Sequence, residues 1–357
     1  MFDGAYAGRR VLLTGHTGFK GSWLALWLRQ LGAEVTGLAL APDTGPNHWD
    51  LLDLRLRSEL GDTRQRERVQ AVVREARPEV VFHLAAQALV RPSYDDPLGT
   101  WGTNVMGTAH VLDACRQADS VRAIVVVTSD KCYENNETGQ AYREDDRLGG
   151  HDPYSASKAA TELVAASYRR SFFAGGDGPL LATARAGNVV GGGDWSRDRL
   201  VPDLVRGVQA REPASIRHPE ATRPWQHVLE PLAGYLLLGQ KLLQRQQQAC
   251  GAWNFGPNPE GNVTVGTVLE GLRRHWPALA WQVKADASRH EATLLHVDSG
   301  KARAQLGWSP TWDIEQTLEA TAHWYASYLQ GGQVRSVEQL QRFVEAAARA
   351  GSAWARP

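Results

Sequence analysis

The sequence predicts an α/β protein: a doubly wound parallel sheet with helices on both faces, joined to a smaller mixed α/β lobe. Three observations predict it. Short apolar runs alternate with longer helical patterns through the first half, the rhythm of strand–helix–strand units. A glycine-rich turn stands between the first such run and the first helix. Beyond Gly191 the alternation fades into shorter pieces punctuated by Pro202, Pro213, Pro219, Pro224 and Pro231.

Each element has its own signal. Residues 10–14 read as a strand, followed by a glycine loop and a helix through about residue 31. Residues 34–40 make a second strand, and 66–77 a helix that Pro78 ends. Residues 79–84 are a compact buried strand, 103–118 a helix, and 121–128 (VRAIVVVT) the plainest central strand. Asp152 caps and Pro153 opens a helix reaching about residue 173. After the break AGGDGP comes a strand at 180–185, and a helix at 230–247 with a strand at 252–255 returns to the first domain. Residues 334–348 read as one amphipathic helix. The expected organisation is a dinucleotide-binding domain of residues 1–188 with 228–258, a substrate lobe of 189–227 with 259–330, and a helical tail, 331–357.

Composition excludes several classes. With 43% hydrophobic and 22% charged residues the chain reads as globular, not disordered. Lys+Arg and Asp+Glu number 39 each, so no global field favours nucleic acid or an anionic membrane. No stretch approaches the roughly 18 apolar residues of a membrane span. MFDGAYAGRR lacks the apolar core of a signal peptide. Cys115, Cys132 and Cys250 lie far apart without metal-ligand spacing, which suggests a reducing compartment and no metal. A cytoplasmic enzyme is the expectation.

The segment VLLTGHTGFKG sets Gly15, Gly18 and Gly21 directly after a strand and before a helix. Glycines there allow a tight turn and close approach of a pyrophosphate, which helix N-terminal amides stabilise. This is a Rossmann-type arrangement, and NAD is the expected cofactor. The loop residues Gly15, His16, Thr17, Gly18, Phe19, Lys20 and Gly21 are candidate contacts, with Leu84, Ala85, Ala86 and Asn104 nearby, Asn104 either as a contact or as a structural residue bonding backbone beside the site. His16 and Lys20 either join the loop's ligand face or point to solvent. No acidic residue ends the second strand, GLALAPD, where one usually holds the adenosine ribose. Asp43 comes late, and Asp62 in GDT is the better contact for the adenine end. NAD is therefore expected to be held less firmly than where an acidic anchor is present.

Tyr154 and Lys158 stand four residues apart in PYSASK, on one face of the helix that Pro153 opens. A phenol is a poor base at its reference pKa of about 10. A nearby ammonium and a positive nicotinamide ring stabilise the phenolate.

With these motifs in place the chain resembles the extended short-chain dehydrogenases that act on nucleotide sugars, the NAD-dependent epimerase/dehydratase family. Within it, the chain is most similar to the CDP-glucose 4,6-dehydratase branch. The resemblance runs from about Arg10 to Leu318. It is carried by GHTGFKGSWL, HLAAQALVRPSYDDP, TNVMGT, TSDKCYE, GGHDPYSASK, ARAGNVVGGGDW, RLVPD and ATRPWQHVLEP. TSDKCYE, GNVVGGGDW and RPWQHVLEP are the part specific to the CDP-glucose branch. The implied reaction converts CDP-glucose to CDP-4-dehydro-6-deoxy-glucose and water. Hydride leaves C4 for NAD, the 4-ketone acidifies C5, water is lost across C5 and C6, and the hydride returns to C6.

Elimination needs an acid for the leaving hydroxyl and a base for C5. The resemblance assigns a hydroxyl role to Ser129 and the acid to Asp130. Relatives usually carry glutamate as base where this chain has Lys131. At a reference pKa near 10.4 only about one lysine in a few thousand is neutral at pH 7. Either burial depresses Lys131, or it stays charged and stabilises the enolate while another group takes the proton. On the substrate side, Arg223 is the leading diphosphate ligand because its fork matches phosphate oxygens. Asn188, Arg199, Leu200, Val201, His290 and Glu291 are further candidates. A 4-epimerase needs no acid and base at C5 and C6, so Asp130 and Lys131 weigh against that alternative, as Ser129, Tyr154 and Lys158 weigh against a non-catalytic NAD-sensing scaffold. The resemblance also implies a homodimer.

Overall fold

The computed structural model describes residues 1–137, 139–176, 178–284 and 294–356. The apolar runs form strands β1 (Arg10–Thr14), β2 (Glu34–Ala39), β4 (Val80–His83), β5 (Ala123–Val127), β6 (Leu180–Ala186) and β7 (Gly251–Phe255). A seventh, β3 (Arg57–Leu60), joins them at the edge. All are parallel, in the order β7-β6-β5-β4-β1-β2-β3. β1 has β2 on one side and β4 on the other, so the winding reverses there. In doubly wound sheets the crevice at the carboxyl ends beside such a reversal is where ligands bind.

Alternation along the strands splits the core in two. Leu12, Val81, Ile124 and Val126 pack on one face with α2 (Arg66–Ala76), α3 (Gly107–Arg116) and α4 (Pro153–Ser171). Val11, Leu13, Phe82 and Val125 pack on the other with α1 (Phe19–Gln30) and, from the later chain, Leu232 and Leu236. A single turn of π-helix, Gly102–Met106, precedes α3 and brings Asn104 inward.

Beyond β6 the chain forms α5 (Leu200–Ala210) and three two-stranded pairings: 189–190 with 226–227, 222–224 with 262–264, and 214–216 with 281–283. α6 (Leu229–Leu243) returns to pack on the sheet, followed by α7 (Val265–His275) and α8 (Ile314–Gly331). The final helix, α9 (Ser336–Arg349), is not a detached tail. Its Phe343 packs edge-on against Trp27 at 5.9 Å, and Trp354 beyond it stacks on Phe2 at 5.1 Å. No described helix is long and apolar enough to cross a membrane.

Candidate active site

A cavity of 760 Å³ opens at the carboxyl edge of the sheet, beside the winding reversal. Its first wall is the glycine loop. Gly15 has φ +76°, and a Cβ there would lie 2.7 Å from the Ala85 amide nitrogen, so only glycine lets the loop seat on the end of β4. A Cβ on Gly21 would fall 2.0 Å from the Gly15 carbonyl oxygen, which locks the start of α1 against the turn. Gly18 stands at the N-cap of α1, with Thr17, Phe19 and Lys20 beside it on the cavity wall. Backbone amides at a helix N-terminus, backed by Leu84, Ala85 and Ala86, suit a pyrophosphate. The residues present fit NAD.

Two candidate cofactor contacts are corrected. His16 neither reaches the ligand face nor points to solvent: its ring lies over Gly37, edge-on to Trp49, with Nε2 2.8 Å from Ser58 Oγ. Burial pushes its pKa down to about 4, leaving a neutral spacer between the loop and β3. Asn104 lies outside the cavity wall: its Nδ2 donates to the Gln87 carbonyl and Ser157 Oγ, and its Oδ1 accepts from the Gln87 amide. It splices the loop after β4 to α4. Asp43 and Asp62 both line the adenine side, but the Asp62 carboxylate is already engaged by Arg64 at 2.6 Å.

β5 and α4 deliver the chemistry. β5 ends at Val127, and a 3₁₀ turn over Asp130–Cys132 follows, capped by Ser129, whose Oγ accepts from the Lys131 amide. Asp152 caps α4, its Oδ1 accepting from the Ser155 amide at 2.9 Å, which fixes Tyr154 and Lys158 in the first turns. Ser129, Asp130, Lys131, Tyr154 and Lys158 all line the same cavity as the glycine loop. Burial pushes the Tyr154 phenol up to about 12, against a hydrogen bond with Ser129 and the field of Arg199. The lowering expected from Lys158 does not prevail, because burial outweighs the protein's own cations. Lys158 donates to the Val127 carbonyl at 3.3 Å, and burial pushes its ammonium down to about 8, opposed by Glu162. Burial also raises Asp130, against the fields of Lys131, Lys20 and Arg223. Its Oδ1 accepts from Ser129, while Oδ2 is buried without a hydrogen-bond partner among the described residues.

Beneath the site lies a support that sequence reasoning missed. Glu162 is one further turn along α4 from Lys158 and forms a buried two-point ion pair with Arg185 of β6, both contacts 3.0 Å. Thr128 and Thr183 donate to the same carboxylate. Burial alone would raise Glu162, yet Arg185 and these donors hold it below its usual range. The signal available was the continued four-residue step, 154, 158, 162. Lys20 was also under-read. On the cavity wall, burial together with Arg199 and Lys158 pushes its pKa down to about 7, Asp130 opposing.

Asn188, Arg199, Leu200, Val201 and Arg223 line the same cavity. Arg199 pairs with Asp194 at 2.9 Å, and the Arg223 guanidinium donates to the Thr222 carbonyl. His290 and Glu291 lie outside the described residues.

Residues 11–254 match the model of the NAD dependent epimerase/dehydratase family. The CDP-glucose 4,6-dehydratase of Salmonella typhimurium is 44% identical, covering 91% of this chain and 93% of that protein. UDP-glucuronate 4-epimerase 1 of Arabidopsis thaliana is 28% identical over 90% of this chain and 77% of its own. Among solved structures, the dTDP-glucose 4,6-dehydratase DesIV of Streptomyces venezuelae, with NAD bound, superposes with TM-score 0.75 at 25% identity, covering 89% and 97%. Glycine turn, Tyr154–Lys158 helix and strand order converge with these matches: the chain belongs to the NAD dependent epimerase/dehydratase family.

Proposed function

We propose that this protein is an NAD-dependent hydro-lyase, a CDP-glucose 4,6-dehydratase that converts CDP-glucose to CDP-4-dehydro-6-deoxy-glucose and water. The observation that carries the reading is Asp130: a buried carboxyl with one oxygen unpartnered among the described residues, in the same cavity as Tyr154 and Lys158. A 4-epimerase has no use for it. The likeness to the Salmonella typhimurium enzyme supports the sugar assignment.

Bound against the glycine turn, NAD supplies a hydride acceptor at the start of the cycle and a donor at its end. The rest is work for the protein's own groups. Tyr154 takes the proton of the sugar's 4-hydroxyl, with Ser129 on the same cavity wall to orient that hydroxyl. Lys158 holds positive charge beside the developing phenolate. Once the 4-ketone exists, the C5 hydrogen is acidic. Asp130, which burial keeps inclined to hold a proton, protonates the departing 6-hydroxyl. Lys131 sits next to it as base for C5 or as charge stabiliser of the enolate, and Arg199 and Arg223 take the diphosphate.

The same reading makes the protein a homodimer of the cytoplasm. The three free cysteines suit a reducing compartment. In α4 and on the helical turns before α3, Leu163, Leu98 and Met106 are exposed at 61%, 83% and 53%, a surface suited to a second copy.

Incubation with NAD and CDP-glucose, in parallel with UDP-, GDP- and dTDP-glucose, tests the proposal. The 4-ketone product absorbs in alkali, and the signal is expected with CDP-glucose. Signal only with another nucleotide would overturn the sugar assignment, and none with any would overturn the dehydratase reading.

A further inference from the structure

The cavity has two ends, and the glycine loop accounts for one. The other is walled by the entrance to α5 and by Ser215, Ile216, Arg217 and His218, on and just after the 214–216 strand. If the substrate is a CDP-sugar, the reading on which this inference rests, its base belongs at that end. Arg199 and Arg223 line the cavity within electrostatic reach of Tyr154 and Asp130, and on the same reading their guanidinium forks take the diphosphate, leaving the base to extend past them.

Three carboxylates line the cavity there, and two are already held. Asp194 pairs with Arg199 at 2.9 Å, and Asp203 makes a close contact with Arg206. Asp198 differs. Its backbone is left-handed at φ +59°. Arg217 Nη1 approaches its Oδ1 only to 3.8 Å, beyond hydrogen-bond range. No donor among the described residues hydrogen-bonds its carboxylate, which is 39% exposed.

A carboxylate at a base edge is selective. Cytosine presents an amino donor at N4, which Asp and Glu accept, whereas uracil and thymine present a carbonyl oxygen at that position, which repels a carboxylate. Beside it, a guanidinium supplies donors suited to the N3 and O2 acceptors of cytosine. We propose that Asp198 is the specificity-determining residue of this site, accepting the N4 amino group of a cytidine nucleotide while Arg217 donates to the same edge.

Calorimetric titration of the full chain with CDP, UDP and dTDP tests this without turnover. The wild-type protein is expected to prefer CDP by roughly tenfold or more. Asp198→Asn presents an amide that rotates to accept or donate, so CDP should weaken, UDP should tighten, and the preference should collapse toward unity. Asp198→Ala should lose CDP affinity without gaining UDP. Unchanged thermal midpoints would tie the shifts to recognition. If both variants keep the wild-type ratio, the assignment of Asp198 is overturned while the CDP reading stands. If the wild type itself shows no preference for CDP, the CDP reading falls and this inference with it.

Discussion

Lys158 is held where its charge is expensive. Burial drives its pKa from 10.5 to about 8, a penalty of roughly 3 kcal/mol on the folded state at neutral pH. The sign follows from linkage: between about pH 8 and 10.5 the unfolded chain binds the proton that the folded one has released, so stability rises across that window. Below pH 8 both states carry the charge and the penalty is full. Lys158→Met removes the penalty while keeping most of the stem's packing. The expected outcome is a loss of turnover on the order of a hundredfold or more, with a denaturation midpoint at pH 7 equal to or above the wild type. A variant both inactive and clearly less stable would mean that the hydrogen bond to the Val127 carbonyl, not the charge, is what the site needs. Asp130 follows the same logic with opposite charge: burial that would weaken a structural ion pair makes a proton donor.

α4 shows why the site was readable at all. Asp152 as cap, Pro153 at the first helical position and the four-residue step from Tyr154 to Lys158 are local signals, and the helix forms as they dictate. Replacing Asp152 by Ala strips the first turn of its cap and should cost about 1 kcal/mol in urea unfolding, with a lower kcat because Tyr154 stands two residues on. Asp152→Asn should recover most of the stability. Other elements gave no such signal. β3 (RSEL) is a polar edge strand, partly or fully exposed along its length, so neither apolar run nor alternation marks it. The paired short strands of the second lobe exist only through partners tens of residues away, which local pattern cannot reveal. α8 was legible and overlooked: Asp313 and Gln316 form a reciprocal capping box. At the site, motif spacing located the glycine loop and the Ser129–Lys131 turn. His16 was misread because a motif position says which loop a side chain leaves, not which side it packs on, whereas Asn104 fills the backbone-bonding role open to it rather than the cofactor one. The Glu162–Arg185 pair joins two elements, so no single segment announces it.

At the scale of the whole molecule, several large apolar side chains stay exposed on helices at one face of the sheet. Leu98 is 83% exposed and Leu163 61%, with Met106 and Phe172 more than half exposed, all on or beside helices on the sheet face away from α1. Single exposed apolar residues are ordinary, but several on neighbouring helices are costly to leave in water. A second copy of the chain would resolve this by an isologous contact, each helix pair meeting its own image about a two-fold axis. Such a contact must bury on the order of 1,000 Å² or more to persist at micromolar concentration, which neighbouring helices of this length can supply. It would also brace α4 from outside and so bear on Tyr154 and Lys158. Sedimentation of the purified protein at micromolar concentration should give twice the chain mass of 39.2 kDa. Leu98→Glu with Leu163→Glu should shift it to the monomer, since buried carboxylates without partners disfavour the contact by several kcal/mol. A monomeric wild type would remove the dimer, and a dimer untouched by both charges would move its interface elsewhere on the molecule.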